Sequence, residues 1–275
     1  LVRIRPGLAG DYEQVRAFCQ NTFHWGDYIP EVYMDWVTAE HGRVLVAELD
    51  QGVVGLLHVD MPGVTEAWLE GMRVHPDFRR RGLAALLTRA ALAEARQLGA
   101  RVARLAIAHE NHASHQLAQH TGFRLLGELA EYMVSGREGE ARPAGRDDLE
   151  AMVHLATTKS WLPGRPVLVG AGWRWWEATH RGLAKLLDQQ MLWTNGQAWA
   201  VLDHLEFEDD EIAIHSPTGD ESAILALVGG MLGRAGEGKS RARVVVPARM
   251  QLAAPDWEGP SDSEHIYECW LDDGS

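Results

Sequence analysis

The chain has 275 residues, about right for two domains of average size and too long for one small core. Hydrophobic residues make up 46% and charged residues 24%, an ordinary soluble mix, and no apolar run approaches the roughly 18 to 20 residues of a membrane span. A formal net charge of -13 speaks against sequence-independent binding to nucleic acid, which relies on Lys and Arg, and suits a cationic or amine substrate. Leu1 to Pro6 lacks the continuous apolar stretch of a signal peptide, so a cytoplasmic protein is expected. Cys19 and Cys269 are too few for a disulfide framework and form no metal-like pair; no metal is expected.

In chain order, residues 2 to 5 alternate like a strand, Pro6 and Gly7 break the run, and a helix follows from about Gly10 to Cys19. A second helix is predicted over Glu31 to Glu40. Residues 43 to 49 and 53 to 59 form a hairpin around Asp50-Gln51-Gly52. A strand runs from about Ala67 to Val74. Leu83, Leu86, Leu87 and Ala90 then mark an amphipathic helix that Gly99 stops. A strand (102 to 108), a helix (112 to 120) and a strand (123 to 134) complete the order β-α-α-β-β-β-α-β-α-β, a mixed α/β domain.

Gly136, Gly139, Pro143 and Gly145 read as a linker. The pattern R-P-x4-D-x-E then occurs a second time, as Arg142, Pro143, Asp148 and Glu150 after Arg5, Pro6, Asp11 and Glu13, an offset of 137 residues. An internal duplication is expected, with domains 1-136 and 137-275. The second half fits the same plan more loosely: a Trp-rich helix near 173 to 187, strands near 190 to 202 and 211 to 215, a helix near 220 to 234, and a strand at 243 to 246.

The segment M-R-V-H-P-D-F-R-R-R-G-L-A, residues 72 to 84, lies between a strand and the amphipathic helix. A helix start leaves about four backbone N-H groups without partners and carries the positive end of the helix dipole, which suits a diphosphate. Gly82 allows close approach of a ligand to the backbone, Ala84 keeps the first turn uncrowded, and Arg79, Arg80 and Arg81 add charge and two-point hydrogen bonding. Here the chain resembles the GNAT superfamily of acyl-CoA N-acyltransferases, whose coenzyme loop matches Arg79-Arg80-Arg81-Gly82-Leu83-Ala84. The V-x-P before that loop is matched by Val74-His75-Pro76, and N-x10-G-F by Asn111, Gly122 and Phe123.

The resemblance covers about residues 2 to 134. It implies a mixed, mostly antiparallel sheet flanked by helices and splayed to receive acetyl-CoA as co-substrate. It implies cofactor contacts at Met72, Val74, Arg79, Arg80, Arg81, Gly82, Leu83, Ala84, Asn111 and Ser114. Many family members carry a Tyr seven residues after the Asn, which protonates the departing thiolate; Ala118 stands there. His115 and His120 flank that position. A base for the attacking amine is expected at Glu70, which period-2 alternation puts on one face with Met72 and Val74, and failing that at Glu66.

Residues 23 to 36, F-H-W-G-D-Y-I-P-E-V-Y-M-D-W, fall where the superfamily forms its acceptor pocket. They are similar to the D-Y-L-P-x-x-Y-x-x-W pattern of the branch that includes the vertebrate histidine N-acetyltransferase, whose V-E-G-L-R-V is paralleled by residues 69 to 74. This similarity implies a small amine such as an amino acid as acceptor, with Asp27 binding an ammonium and Tyr28, Tyr33 and Trp36 lining a pocket. In the second half the place of the phosphate loop falls to Ser216-Pro217-Thr218-Gly219-Asp220-Glu221, which has no Arg. Asp220 and Glu221 would repel a diphosphate, so a degenerate GNAT-like domain without coenzyme is expected. The leading function is acetyl transfer from acetyl-CoA to a small-molecule primary amine by direct attack on the thioester. The alternative is an acyl-CoA-binding regulatory module without turnover. Neither a nucleic-acid nor a membrane partner is expected, and homo-oligomerisation is left open.

Overall fold

The computed structural model describes residues 2–20, 22, 26–204 and 209–271, without the side chains of 262 and 263. These residues form two compact units, one of residues 1–126 with 266–275 and one of residues 127–265. The division differs from a cut at residue 136: the boundary falls after Leu126, and the chain from Ile266 to Leu271 belongs to unit 1.

Unit 1 runs β1 (Arg3–Pro6), a 3-10 turn, α1 (Tyr12–Cys19), α2 (Ile29–Thr38), β2 (Gly42–Leu49), β3 (Gly52–Asp60), β4 (Glu66–Val74), α3 (Leu83–Gln97), β5 (Val102–Ala108), α4 (His112–His120) and the start of β6 (Arg124–Val134). The sheet order is β1-β2-β3-β4-β5, with the end of the last strand, β14 (Trp257–Trp270), beside β5. Strands β1 to β4 pair antiparallel, and β4 pairs parallel with β5. Alternation along the strands sends Leu45, Leu57 and Leu69 toward α3, with Leu83, Leu87 and Ala91, and sends Val44, Val46 and Leu56 toward α1 and α2, with Val15, Ile29 and Trp36. Each of these helices is thus held by one apolar stripe on one side of the sheet.

Unit 2 repeats this plan. It contains most of β6, β7 (Arg142–Pro143), α5 (Leu149–Thr158), β8 (Leu168–Ala171), β9 (Arg174–Glu177), α6 (His180–Asp188), β10 (Leu192–Thr194), β11 (Trp199–Asp203), β12 (Glu211–Thr218), α7 (Glu221–Arg234) and β13 (Arg241–Pro247). Its sheet order is β6-β13-β12-β11-β10-β7, again with one parallel pair, β12 with β13. The repeated motif makes the same contact in each unit. Arg5 holds Asp11 through two bonds of 2.7 and 2.8 Å, and Arg142 holds Asp148 through two of 2.7 Å. Each aspartate also accepts a backbone N–H three residues back, from Leu8 or Gly145. A second ion cluster recurs too: Arg104 with Glu66 and Glu268 in unit 1, Arg243 with Glu211 and Glu131 in unit 2.

Several expectations for the second half need correction. The segment 173 to 187 is a hairpin strand followed by a helix. Gly172 and Trp173 both have positive φ, 59° and 57°, the signature of a tight two-residue turn between β8 and β9, and the Trp side chains of β9 are sheet residues. The stretch 190 to 202 is two strands, split at Asn195-Gly196. Residues Ser216 to Thr218, expected in a loop, complete β12, so only Gly219 and Asp220 connect it to α7. The glycine-rich stretch after residue 135 is packed chain rather than a free linker. A Cβ at Gly229 or Gly230 of α7 would collide with the backbone of Glu138 or Glu140.

Candidate functional site

Strand β4 pairs with β5 only from Glu66 to Trp68, opposite Val102 to Arg104, although the two strands run on to Val74 and Ala108. Beyond Trp68 they part. From Leu69 to Val74 the ladder with β5 is not continued, and the Met72 and Val74 carbonyls accept from Arg73 and Arg79. Met72 and Val74 lie on the part of β4 beyond this pairing.

The opposite edge of β4 shows why the expected alternation fails. On β3, His58 opposes Glu70 and Leu56 opposes Arg73, so β4 spends one more residue than its partner between these pairs. The extra residue is a bulge at Gly71, whose φ is +69°. A Cβ there would stand 2.8 Å from the Trp36 ring, which makes Gly the residue this close approach requires. The bulge puts Glu70 and Arg73 on the α1/α2 face, while Met72 and Val74 pack against the core under α3. Glu70 therefore does not share a face with Met72 and Val74, as simple alternation predicts.

On the α1/α2 face Glu70 Oε1 accepts from His58 Nδ1 at 2.8 Å, and the His58 ring stacks on Trp36 with centroids 4.3 Å apart. Tyr28 packs edge-on against Trp36, and the Arg73 guanidinium lies 5.6 Å from the Tyr28 ring centre. Arg73 grips Asp27 with bonds of 2.7 and 3.1 Å. The Asp27 side chain is fully buried, so the charge expected to meet an ammonium is neutralised within the protein. Tyr33 is core: it is fully buried and its hydroxyl donates to the Leu8 carbonyl, with burial pushing its ionisation up. Glu66 is buried against Arg104. Thus Glu70, Tyr28 and Trp36 are brought together, whereas Asp27, Tyr33 and Glu66 serve structural contacts. His58 and Arg73, both organising residues, were not singled out by sequence; their signal was position opposite and beside Glu70, which needs the register. Residues 23–25 of the acceptor motif lie outside the described residues.

The loop before α3 has the form its sequence predicts. Gly82 is the N-cap residue at φ +78°, no side chain caps the helix, and a Cβ at Gly82 would meet nothing within 4 Å. No N-cap side chain takes up the first N–H groups of α3, at Leu83 and Ala84. Arg80 too has a positive φ, 60°. Arg79 Nε donates to the Val74 carbonyl and Arg81 Nη2 to the Asp77 carbonyl, which ties the loop to the end of β4. All three arginines are exposed. Across the splay, Asn111 caps α4 by accepting from the Ser114 N–H at 3.2 Å. The uncapped helix start, the open Gly82 and the exposed arginines together fit a diphosphate.

Residues 12–123 match the family model described as the acetyltransferase (GNAT) family. Unit 1 carries a GNAT domain. Histidine N-acetyltransferase of Xenopus tropicalis is 35% identical over 80 residues, 29% of this chain, and the match spans 25% of that relative's length. The fold likeness extends over both units. A GCN5-related N-acetyltransferase from Sphaerobacter thermophilus aligns with 100% of this chain and 97% of its own at a TM-score of 0.62 and 13% identity. A tandem GNAT protein from the clavulanic acid biosynthesis pathway aligns over 100% of both chains at a TM-score of 0.58 and 11% identity. These likenesses show the fold of both units, and the coenzyme-loop sequence lies in unit 1. Among the described residues no group of three metal-ligating side chains occurs, and no helix is long and apolar enough to cross a membrane.

Proposed function

We propose that this protein transfers an acetyl group from acetyl-CoA to the primary amine of a small molecule, with free amino acids the first acceptor class. The observation that carries the reading is the pairing of a splayed β4 edge with an uncapped, arginine-flanked helix start. In this reading the α3 N–H groups at Leu83 and Ala84, with Arg79, Arg80 and Arg81, hold the diphosphate, and Gly82 keeps room for it. The backbone of Met72 and Val74 pairs with the pantetheine arm, and Asn111 and Ser114 flank it from α4. Acetyl-CoA supplies an activated thioester.

The acceptor enters on the α1/α2 face beside Tyr28 and Trp36. Glu70, held by His58, takes the proton that the amine loses on attack. Glu66 is the weaker candidate because it is already paired with Arg104. The name of the Xenopus relative supports an amino acid as acceptor. An α-amine of pKa about 8 is neutral in roughly one molecule in ten at pH 7, so Glu70 has little work to do for such a substrate.

Unit 2 would bind no coenzyme. Gly219 is crowded by Ala198, Asp220 is paired with Lys159 at 2.5 Å, and Glu221 opens α7 where a diphosphate would need positive charge. It serves structure or acceptor selection, as a degenerate GNAT-like domain. Release of CoA thiol from acetyl-CoA, followed with panels of amino acids, polyamines, aminoglycosides and short peptides, tests the reading. Thiol release with one amine class is the expected result. Binding of CoA without release in any panel would favour the regulatory module.

A further inference from the structure

The arginines of unit 1 differ in what they hold. Arg5, Arg73 and Arg104 each grip a carboxylate. Arg79, Arg80, Arg81 and Arg89 have no carboxylate partner among the described residues, in a chain where 39 acidic residues outnumber 26 Lys and Arg. The first three belong to the loop before α3. Arg89 lies on α3 itself, exposed, and its Nη2 is 3.4 Å from Nε2 of His120, the exposed last residue of α4. A guanidinium has no acceptor atom, so His120 Nε2 must accept, and 3.4 Å is long for such a bond. Two side chains able to carry positive charge thus face each other on the surface of an acidic chain with no carboxylate as their partner, which suits an anion that takes donors from both.

Arg89 follows Gly82 after close to two full helical turns, so it stands on the same side of α3 as Gly82 and about 10 Å farther along the axis. Acetyl-CoA carries two anionic groups, the diphosphate and a 3′-phosphate monoester on the adjoining ribose. Resting on the acetyl-transfer reading above, we propose that Arg89 and His120 seat the 3′-phosphate of the coenzyme while the start of α3 and the loop arginines hold its diphosphate. One ribose and the length of an arginine side chain span the step between the two places. Arg89 gives the phosphate two parallel N–H bonds, and His120, no longer an acceptor for Arg89, turns a ring N–H toward it. The diphosphate contacts are common to every coenzyme of this kind, with or without the monoester. The Arg89–His120 pair is therefore what lets the site tell CoA from dephospho-CoA.

Calorimetric titration of the full chain with CoA and with dephospho-CoA, which has a hydroxyl in place of the 3′-phosphate, reads this site without an acceptor amine. Wild type should bind CoA about tenfold more tightly than dephospho-CoA, as expected for exposed charge-assisted bonds, and the preference should shrink as salt is raised. Both side chains are exposed, so their replacement leaves the core intact. Arg89→Gln should erase the preference by weakening CoA alone, with dephospho-CoA affinity unchanged. Arg89→Lys should keep part of it, and His120→Gln should reduce it less than Arg89→Gln does. Equal wild-type affinities for the two compounds, or an Arg89→Gln variant weakened equally toward both, would overturn the assignment and leave the acetyl-transfer reading standing. A wild type that binds neither compound would overturn both.

Discussion

Glu70 shows how far one residue can be read from its neighbours. Its place on the strand before the coenzyme loop is legible in sequence, but its face is not, because Gly71 inserts an extra residue and reverses the alternation that follows. The reversal takes Glu70 away from the pantetheine side and puts it against His58 and Trp36, where an acceptor amine would be expected to arrive. For Glu70→Gln the account predicts a turnover ~10²-fold lower with CoA affinity retained, measured by thiol release and calorimetry. An unchanged rate across the pH range would remove Glu70 as the base. Asp27 illustrates the opposite limit. An acidic residue in an acceptor segment suggests cation binding, and nothing local reveals that Arg73, 46 residues later, already occupies it. His215 sits in unit 2 at the residue before a positive-φ position, Ser216, much as Glu70 precedes Gly71. It is completely buried among Trp173, Trp175 and Asp203, and burial pushes its pKa down to about 4, with Asp203 opposing. Its folded value lies below the unfolded value near 6.5, so the unfolded chain binds the proton first. Stability from this group is complete above about pH 6.5 and falls as pH drops toward 4. Urea melts of unit 2 fluorescence at pH 7 and pH 5 should therefore diverge in wild type and diverge less in His215→Gln.

Among the elements, those of unit 1 follow their local patterns closely, since each has a clear apolar stripe and a breaker at its ends: Pro6, Gly52, Gly82 and Gly99 all stand at element boundaries. The coenzyme loop was the most legible feature, because both its strand and its helix are set by short-range periodicity. Introducing Gly82→Glu there should abolish CoA binding, by filling the helix start with a carboxylate. The left-handed backbone at Gly82 adds a cost of about 1 to 2 kcal/mol for any other residue, yet the space around it is open, so the variant should still fold. Calorimetric CoA affinity within twofold of wild type would refute the assigned loop. The elements missed were the β8–β9 hairpin and β14. In the first, a two-residue turn is completed by Trp173 in place of the usual Asn or Gly, which hides the hairpin. In the second, Gly259, Pro260 and four acidic residues interrupt the apolar alternation of Trp257–Trp270. Its return to unit 1 depends on long-range pairing beside β5, which no local pattern encodes.

For the whole molecule, the offset of 137 residues seen in one short motif is matched by structure: each copy makes the same bidentate Arg–Asp contact at the start of its unit. The Arg–Glu clusters at Arg104 and Arg243 extend the likeness beyond the motif, although their residues were invisible as a repeat in sequence. What separates the two units is charge at the helix that follows the splayed strand. Unit 1 presents three exposed arginines and an uncapped α3, and unit 2 presents Asp220 and Glu221 at the start of α7. Calorimetric titration of the full chain with CoA tests this asymmetry, and with it the central claim, most directly. The account predicts one CoA per chain, bound with salt-sensitive affinity and lost in Gly82→Glu. Two CoA per chain would contradict the assignment of unit 2, and no binding at all would contradict the coenzyme site itself.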